Sequence, residues 1–237
     1  MWQKGAALMQ AVRSAGRRPP ADPSRCARRT VAGPCTLPAG RPVGHDGRVA
    51  HPSSPARVLA VCTGNICRSP VVERLLAARL AGGDVRVASA GTHAVVGHPV
   101  SAPMVPLVAA AGADAGSFAA RRLTAAQVRE ADLVLTLTRD HRSQVVRLVP
   151  AAVRRTFTLL ELARLVDRVD PDALHAAGAT PGARVRALPT LVPGVRQLAD
   201  VGPDDVADPI GGSDAVYRAA FDQISAAVDA LAAALRD

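Results

Sequence analysis

Residues 57–62, RVLAVC, form a short, almost continuously apolar run, and the TGNICRSPVVERLLAARLAGG that follows reads as a tight loop entering a helix. A strand that is apolar on both faces belongs in a parallel sheet covered by helices on both sides. Ser69 is placed to cap the helix, Pro70 suits its first turn, and Gly82-Gly83 end it. The alternation continues. VRVASAGT (85–92) predicts a second strand, SAPMVPLVAAAG (101–112) a helix weakened by Pro106, and LTAAQVREA (123–131) a short helix capped by Thr124. DLVLTLT (132–138) predicts a third buried strand, RDHRSQVVRLVP a helix ended by Pro150, and RTFTL (155–159) a fourth strand leading into LLELARLVDR. Strands alternating with helices pair in parallel through right-handed crossovers. The expected fold is α/β: a three-layer, doubly wound, four-stranded parallel sheet with flanking helices.

The chain on either side of this pattern is different. Lys4 and nine arginines stand against Asp22 and Asp46 in residues 1–57, a net of +8 that leaves only +1 of the chain's +9 for residues 58–237. Residues 1–56, rich in Pro, Gly and Arg, have no sustained periodicity and are expected to be a disordered basic tail ahead of a domain spanning 57–237. Within that domain, residues 167–207 carry Pro171, Pro181, Pro189, Pro193 and Pro203, which predicts an irregular insertion or flap with fragments of helix. The closing stretch places Val216, Ala220, Ile224 and Val228 at helical spacing behind Ser213, a candidate cap.

Composition excludes several classes. The charge sits in the tail, and Trp2, Phe118, Phe157, Tyr217 and Phe221 are too few and scattered to stack on bases, so specific nucleic-acid binding is not expected. No apolar run reaches membrane-spanning length, and no secretory signal is evident. Four cysteines, two in the tail and two in the loop, are no disulfide framework, which points to a reducing cytoplasm.

The loop itself admits three readings. A Cys₂His₂ metal clip from Cys62, Cys67, His93 and His98 can be written down, but Arg68 beside it would oppose a cation. A plain β–α turn with inert buried thiols leaves Gly64, Asn65 and Arg68-Ser69-Pro70 without a purpose. The third reading is an anion cradle. A loop from strand end to helix start can turn successive N–H groups inward around a tetrahedral anion. Cys62 would lie at its floor, where the helix dipole and Arg68 favour a thiolate. Arg68, six residues on, can fold back and clamp two anion oxygens. Gly64 permits the bend, Asn65 tolerates strained backbone, and Ser69 caps the helix or donates to the thiolate. A nucleotide-binding P-loop is excluded, since no G-x-x-x-x-G-K-[ST] occurs and Lys4 is the only lysine.

CTGNICRSP (62–70), with SAGT (89–92), ADLVLTLT and its following His141, and the Asp208-Pro209 pair before the last helix, resembles the low-molecular-weight protein tyrosine phosphatases across residues 57–237. The resemblance implies a four-stranded parallel sheet and a metal-free, cofactor-free hydrolysis of phosphomonoesters through a phosphocysteine. Cys62 would be the nucleophile, Arg68 the transition-state clamp and Asp208 the general acid. Asp204, Asp205 and Asp214 lie close by, and an Asp before Pro is also a common turn residue. Thr63, Gly64, Asn65, Ile66, Cys67 and Arg68 would bind phosphate, Asn65 and Ser69 would support the loop, and Cys67 would form a protective disulfide with Cys62. The implied partner is a phosphotyrosine-containing protein or a small phosphomonoester. Ile66 matches tyrosine-directed members, whereas threonine there marks arginine-phosphate-directed ones. Ile210 stands where an aromatic usually walls the phenyl ring. Arsenate reduction with an external thiol, and phosphate binding without turnover, are the rival readings. Tyr217 and His141 are expected to be structural.

Overall fold

The structure is a computed structural model that describes residues 54–198 and 202–236. The basic segment with Cys26 and Cys35 lies outside the described residues. Four strands, β1 (Ala56–Cys62), β2 (Val85–Gly91), β3 (Leu133–Thr136) and β4 (Thr156–Thr158), form one sheet in the order β2-β1-β3-β4, each neighbouring pair parallel. β1 begins one residue inside the segment read as tail. Helix α1 (Arg68–Arg79) joins β1 to β2, and α4 (Arg139–Leu148) joins β3 to β4. Between β2 and β3 the chain crosses over β1 through a 3₁₀ turn (Ala102–Met104), α2 (Val105–Ala110) and α3 (Ala125–Glu130). Strand order therefore reverses between β1 and β3, and the carboxyl ends of these two strands are where an open sheet of this kind forms a crevice.

The apolar runs behave as two-faced strands. Val58, Ala60 and Cys62 of β1 join the larger core with Leu133 and Leu135 of β3, while Leu59 and Val61 join the smaller core with Val134. The larger core is closed by α1, α5 (Leu159–Val166) and α8 (Asp214–Arg236). Along α8 the inward face is Tyr217, Ala220, Phe221, Ile224, Val228, Leu231 and Leu235. Val216, expected on that face, is 40% exposed because Tyr217 takes the inward position.

Thr124 caps α3 through a reciprocal box with Gln127, as its sequence suggests. Two other expectations fail. Ser69 does not cap α1: the helix starts at Arg68 after Cys67, and the serine hydroxyl is engaged elsewhere. Nor are residues 167–207 mainly irregular. Pro171–Ala177 form α6 and Pro181–Val195 form α7, a 15-residue helix containing Pro189 and Pro193. Each interior proline removes a helical hydrogen bond, but Val185, Leu188 and Val192 are fully buried in the larger core. Tertiary packing overrides local propensity here. Asp84 fastens the start of α7, accepting from Gly182 N at 2.7 Å and Thr180 Oγ1 at 2.8 Å.

Arginine supplies the cation in the ion pairs that tie elements together, as in Arg79–Asp229 at 2.8 Å between α1 and α8. Among the described residues no helix is long and apolar enough to cross a membrane.

Candidate active site

Residues 63–67 turn at the carboxyl end of β1, beside the reversal of strand order. The carbonyls of Cys62, Thr63 and Gly64 accept from Thr92, His93 and Val95 at 2.9–3.0 Å, and that of Ile66 accepts from Ser101 at 2.7 Å. In a planar trans peptide the N–H points away from its carbonyl. The amides of Thr63, Gly64, Asn65 and Cys67 consequently face the inside of the turn. Gly91, at the end of β2, lies against this backbone; a Cβ there would stand 2.4 Å from the Thr63 carbonyl oxygen.

Asn65 holds the bend with a left-handed backbone at φ 53°. Its fully buried amide is the reason a non-glycine residue persists there. Nδ2 donates to Ser69 Oγ at 3.0 Å and Ser89 Oγ at 2.8 Å, and Oδ1 accepts from Arg121 N at 2.7 Å. Ser89 donates to Glu73 at 2.6 Å, and Glu73 pairs with Arg121 at 2.9 Å. The guanidinium groups of Arg74 and Arg121 lie over the Phe118 ring, 5.5 and 5.8 Å from its centroid.

Cys62, 2% exposed, places Sγ 2.9 Å from Ser69 Oγ. Cys67 is also a free, buried thiol. Burial pushes the Cys67 thiol above its ordinary range, and the Cys62 sulfur adds to this against a hydrogen bond from Ser101. His93 and His98 are exposed beyond β2, and no three His, Cys, Asp or Glu side chains among the described residues are grouped to hold a metal.

Arg68 is 4% exposed and reaches across 140 residues of chain. It donates to the Val206 carbonyl at 3.0 Å and to Asp208 Oδ2 at 2.7 Å, while its buried Nε has no partner among the described residues. Of the aspartates near the last helix, Asp208 meets Arg68, whereas Asp204 and Asp205 bind Arg139. Asp208 is half-exposed, and Oδ1 accepts from Ile210 N at 3.3 Å. Inward amides, a buried guanidinium and a free thiol together suit a tetrahedral oxyanion with an electrophilic centre.

His141, expected to be structural, ties α4 to the loop. Buried in the first turn of α4, it lies 2.9 Å from Thr63 Oγ1 through Nε2 and 2.8 Å from Thr138 Oγ1 through Nδ1. Burial, and then the charge of Arg68, pulls its pKa down to about 4. The signal for it in the sequence was His141 following ADLVLTLT. Glu73 and Arg121 carried no signal, because their partners lie 16 and 48 residues away.

The fold and site define an α/β protein with a buried free thiol and a buried arginine on one loop, and relatives narrow the class. A family model described as low molecular weight phosphotyrosine protein phosphatase matches residues 57–175. The chain belongs to that family. It is 44% identical over 99 residues to the low molecular weight protein-tyrosine-phosphatase Etp of Escherichia coli K12. That match covers 42% of this chain and 66% of Etp, so the chain spans just under two thirds of that relative. A protein-arginine-phosphatase of Geobacillus stearothermophilus is 30% identical over 182 residues, covering 77% of this chain and 97% of its own length. The crystal structure of the tyrosine phosphatase AmsI from Erwinia amylovora superposes with a TM-score of 0.55 at 25% identity, over 76% of this chain and 93% of that one.

Proposed function

We propose that residues 57–237 form a phosphomonoester hydrolase acting on phosphotyrosine in proteins. The observation that carries this reading is that one loop joins the Cys62 thiol, 2.9 Å from Ser69 Oγ, to Arg68, whose buried guanidinium holds Asp208 at 2.7 Å. Incoming phosphate dianion takes over Arg68 and the inward amides. The Cys62 thiolate attacks phosphorus, the S–P bond forms as the P–O bond breaks, and protonated Asp208 gives its proton to the departing phenolic oxygen. Water then attacks the phosphocysteine, Asp208 accepts a proton from it, and the Cys62 thiolate leaves. Arg68 and the amides stabilise the equatorial oxygens throughout. No step calls for a metal. The reading requires a reducing compartment such as the cytoplasm, and Cys67 is positioned in sequence to return oxidised Cys62 through a disulfide.

Exposed aliphatic side chains adjoin the loop and Asp208. Val95, hydrogen-bonded to Gly64, is 40% exposed and Ile210 51%. Such walls bury a phenyl ring without the stacking term of about 0.5–1.5 kcal/mol. Likeness to a protein-arginine-phosphatase over nearly its whole length makes phosphoarginine the second reading. Hydrolysis of p-nitrophenyl phosphate in EDTA tests the chemistry: wild type turns over and Cys62→Ser does not, and equal rates would refute it. Phosphotyrosine, phosphoarginine and phosphoserine peptides offered to Cys62→Ser then decide the substrate, phosphotyrosine being retained most.

A further inference from the structure

The segment that carries Asp208 is gripped well before it reaches Arg68. Asp204 lies between two arginines: Arg139 Nε at the start of α4 donates to Oδ2 at 2.8 Å, and Arg164 in the last turn of α5 donates to Oδ1. Arg164 also donates to the Pro203 carbonyl at 2.6 Å, and its guanidinium lies under Gly202, where an added Cβ would stand 3.4 Å from Cζ. Asp205 accepts from the Arg139 backbone N–H at 2.8 Å. Val206 N then donates to the Leu137 carbonyl at 2.9 Å, and the Val206 carbonyl accepts from Arg68. Six hydrogen bonds and ion pairs thus set the path of residues 203–206, two residues short of Asp208, from the carboxyl end of β3, the start of α4 and the end of α5.

We propose that Asp204 and Arg164 are positioning residues for proton transfer by Asp208, an inference that rests on the phosphatase reading above. Asp204 is only 20% exposed although the carboxyl of Asp208 is 50% exposed. The segment is therefore anchored at Asp204 and presents Asp208 at its open end. A carboxyl that must meet a departing oxygen is sensitive to displacement of about 1 Å, which can cost on the order of 10²-fold. Arg164 is suited to this because one planar guanidinium holds both a carbonyl and a carboxylate; a lysine ammonium lacks that fork.

The test is the dependence of kcat/KM on the leaving group, from phenyl phosphate, which needs a proton, to p-nitrophenyl phosphate, which needs one less. Asp208→Asn should lower kcat/KM on phenyl phosphate by about 10²–10⁴-fold, and far less on p-nitrophenyl phosphate. Asp204→Asn and Arg164→Met should show the same tilt, with a loss of about ten-fold or more on phenyl phosphate. Arg164→Lys should recover part of it. Combining Asp204→Asn with Asp208→Asn should add no further tilt to that of Asp208→Asn. Thermal melting establishes that each variant is folded, and Arg139→Gln, at a largely exposed side chain, supplies an alternative should Arg164→Met unfold. Equal losses on both substrates, or none, in Asp204→Asn would overturn the proposal while the tilt of Asp208→Asn stands. No tilt in Asp208→Asn would overturn the acid assignment and this proposal together.

Discussion

Replacing His141 with glutamine should remove a pH dependence of folding stability and leave the rest of the titration curve in place. The imidazole is 4% exposed, lies in the positive first turn of α4, and faces Arg68. Its pKa falls from 6.5 to about 4 on folding. The depressed native value means that the unfolded chain takes up this proton first. Between pH 6.5 and about 4 the unfolded state binds more protons, so stability falls as pH falls, and below about 4 the loss levels off. At 1.36 kcal/mol per pK unit the span corresponds to about 3 kcal/mol. Urea unfolding of wild type and His141→Gln at a series of pH values from 7 to 4 measures it directly. Carboxylates and other histidines titrate in both proteins and cancel in the difference. The wild type should lose about 3 kcal/mol more than the variant across this range. Parallel curves would show that His141 is protonated as easily folded as unfolded, and would refute the argument from burial and Arg68.

Three further outcomes follow from the site. Gly91→Ala should destabilise by about 1–3 kcal/mol, because its Cβ meets Thr63 backbone at 2.4 Å, and should weaken phosphate binding measured by calorimetry; an unchanged protein would show the backbones can part freely. Asn65→Ala should cost about 1–2 kcal/mol for the left-handed backbone alone, plus the orphaned Arg121 N–H, read as a lower melting midpoint. Cys67 in a Cys62→Ser background should resist iodoacetamide at neutral pH and gain reactivity only as the pH passes above 9, followed by peptide mass mapping. Rapid alkylation at pH 7 would contradict its burial.

Legibility in the sequence tracked the distance over which each feature is determined. β1, the loop and α1 are contiguous, so their apolar run, bend residues and helix start could be read together. Thr124 caps α3 within three residues and is equally plain, although its reciprocal partner Gln127 carries no such label in the sequence. Of the two parts open to Ser69, helix cap or partner of the Cys62 sulfur, the structure shows the second; its hydroxyl is claimed by Cys62 and by Asn65, a competition visible only once the loop is closed. α7 was missed because two prolines outweigh any local pattern, while the burial that stabilises it comes from strands far away in the chain. Asp208 could be singled out only by resemblance. Its meeting with Arg68 spans 140 residues, and nothing local distinguishes it from Asp204 or Asp205. The structural part His141 plays is legible only in outline for a similar reason: its partner Thr63 lies 78 residues earlier.

The arginine-only ion pairs have a practical consequence. Lys4 is the only lysine in the chain, so amine-directed reagents have no side-chain target anywhere from Ser54 to Arg236. A fluorophore or surface tether coupled by an activated ester attaches before β1 in the sequence and spares Cys62, Cys67, Arg68 and Asp204 alike. The protein can thus be coupled with no cation of residues 54–236 consumed.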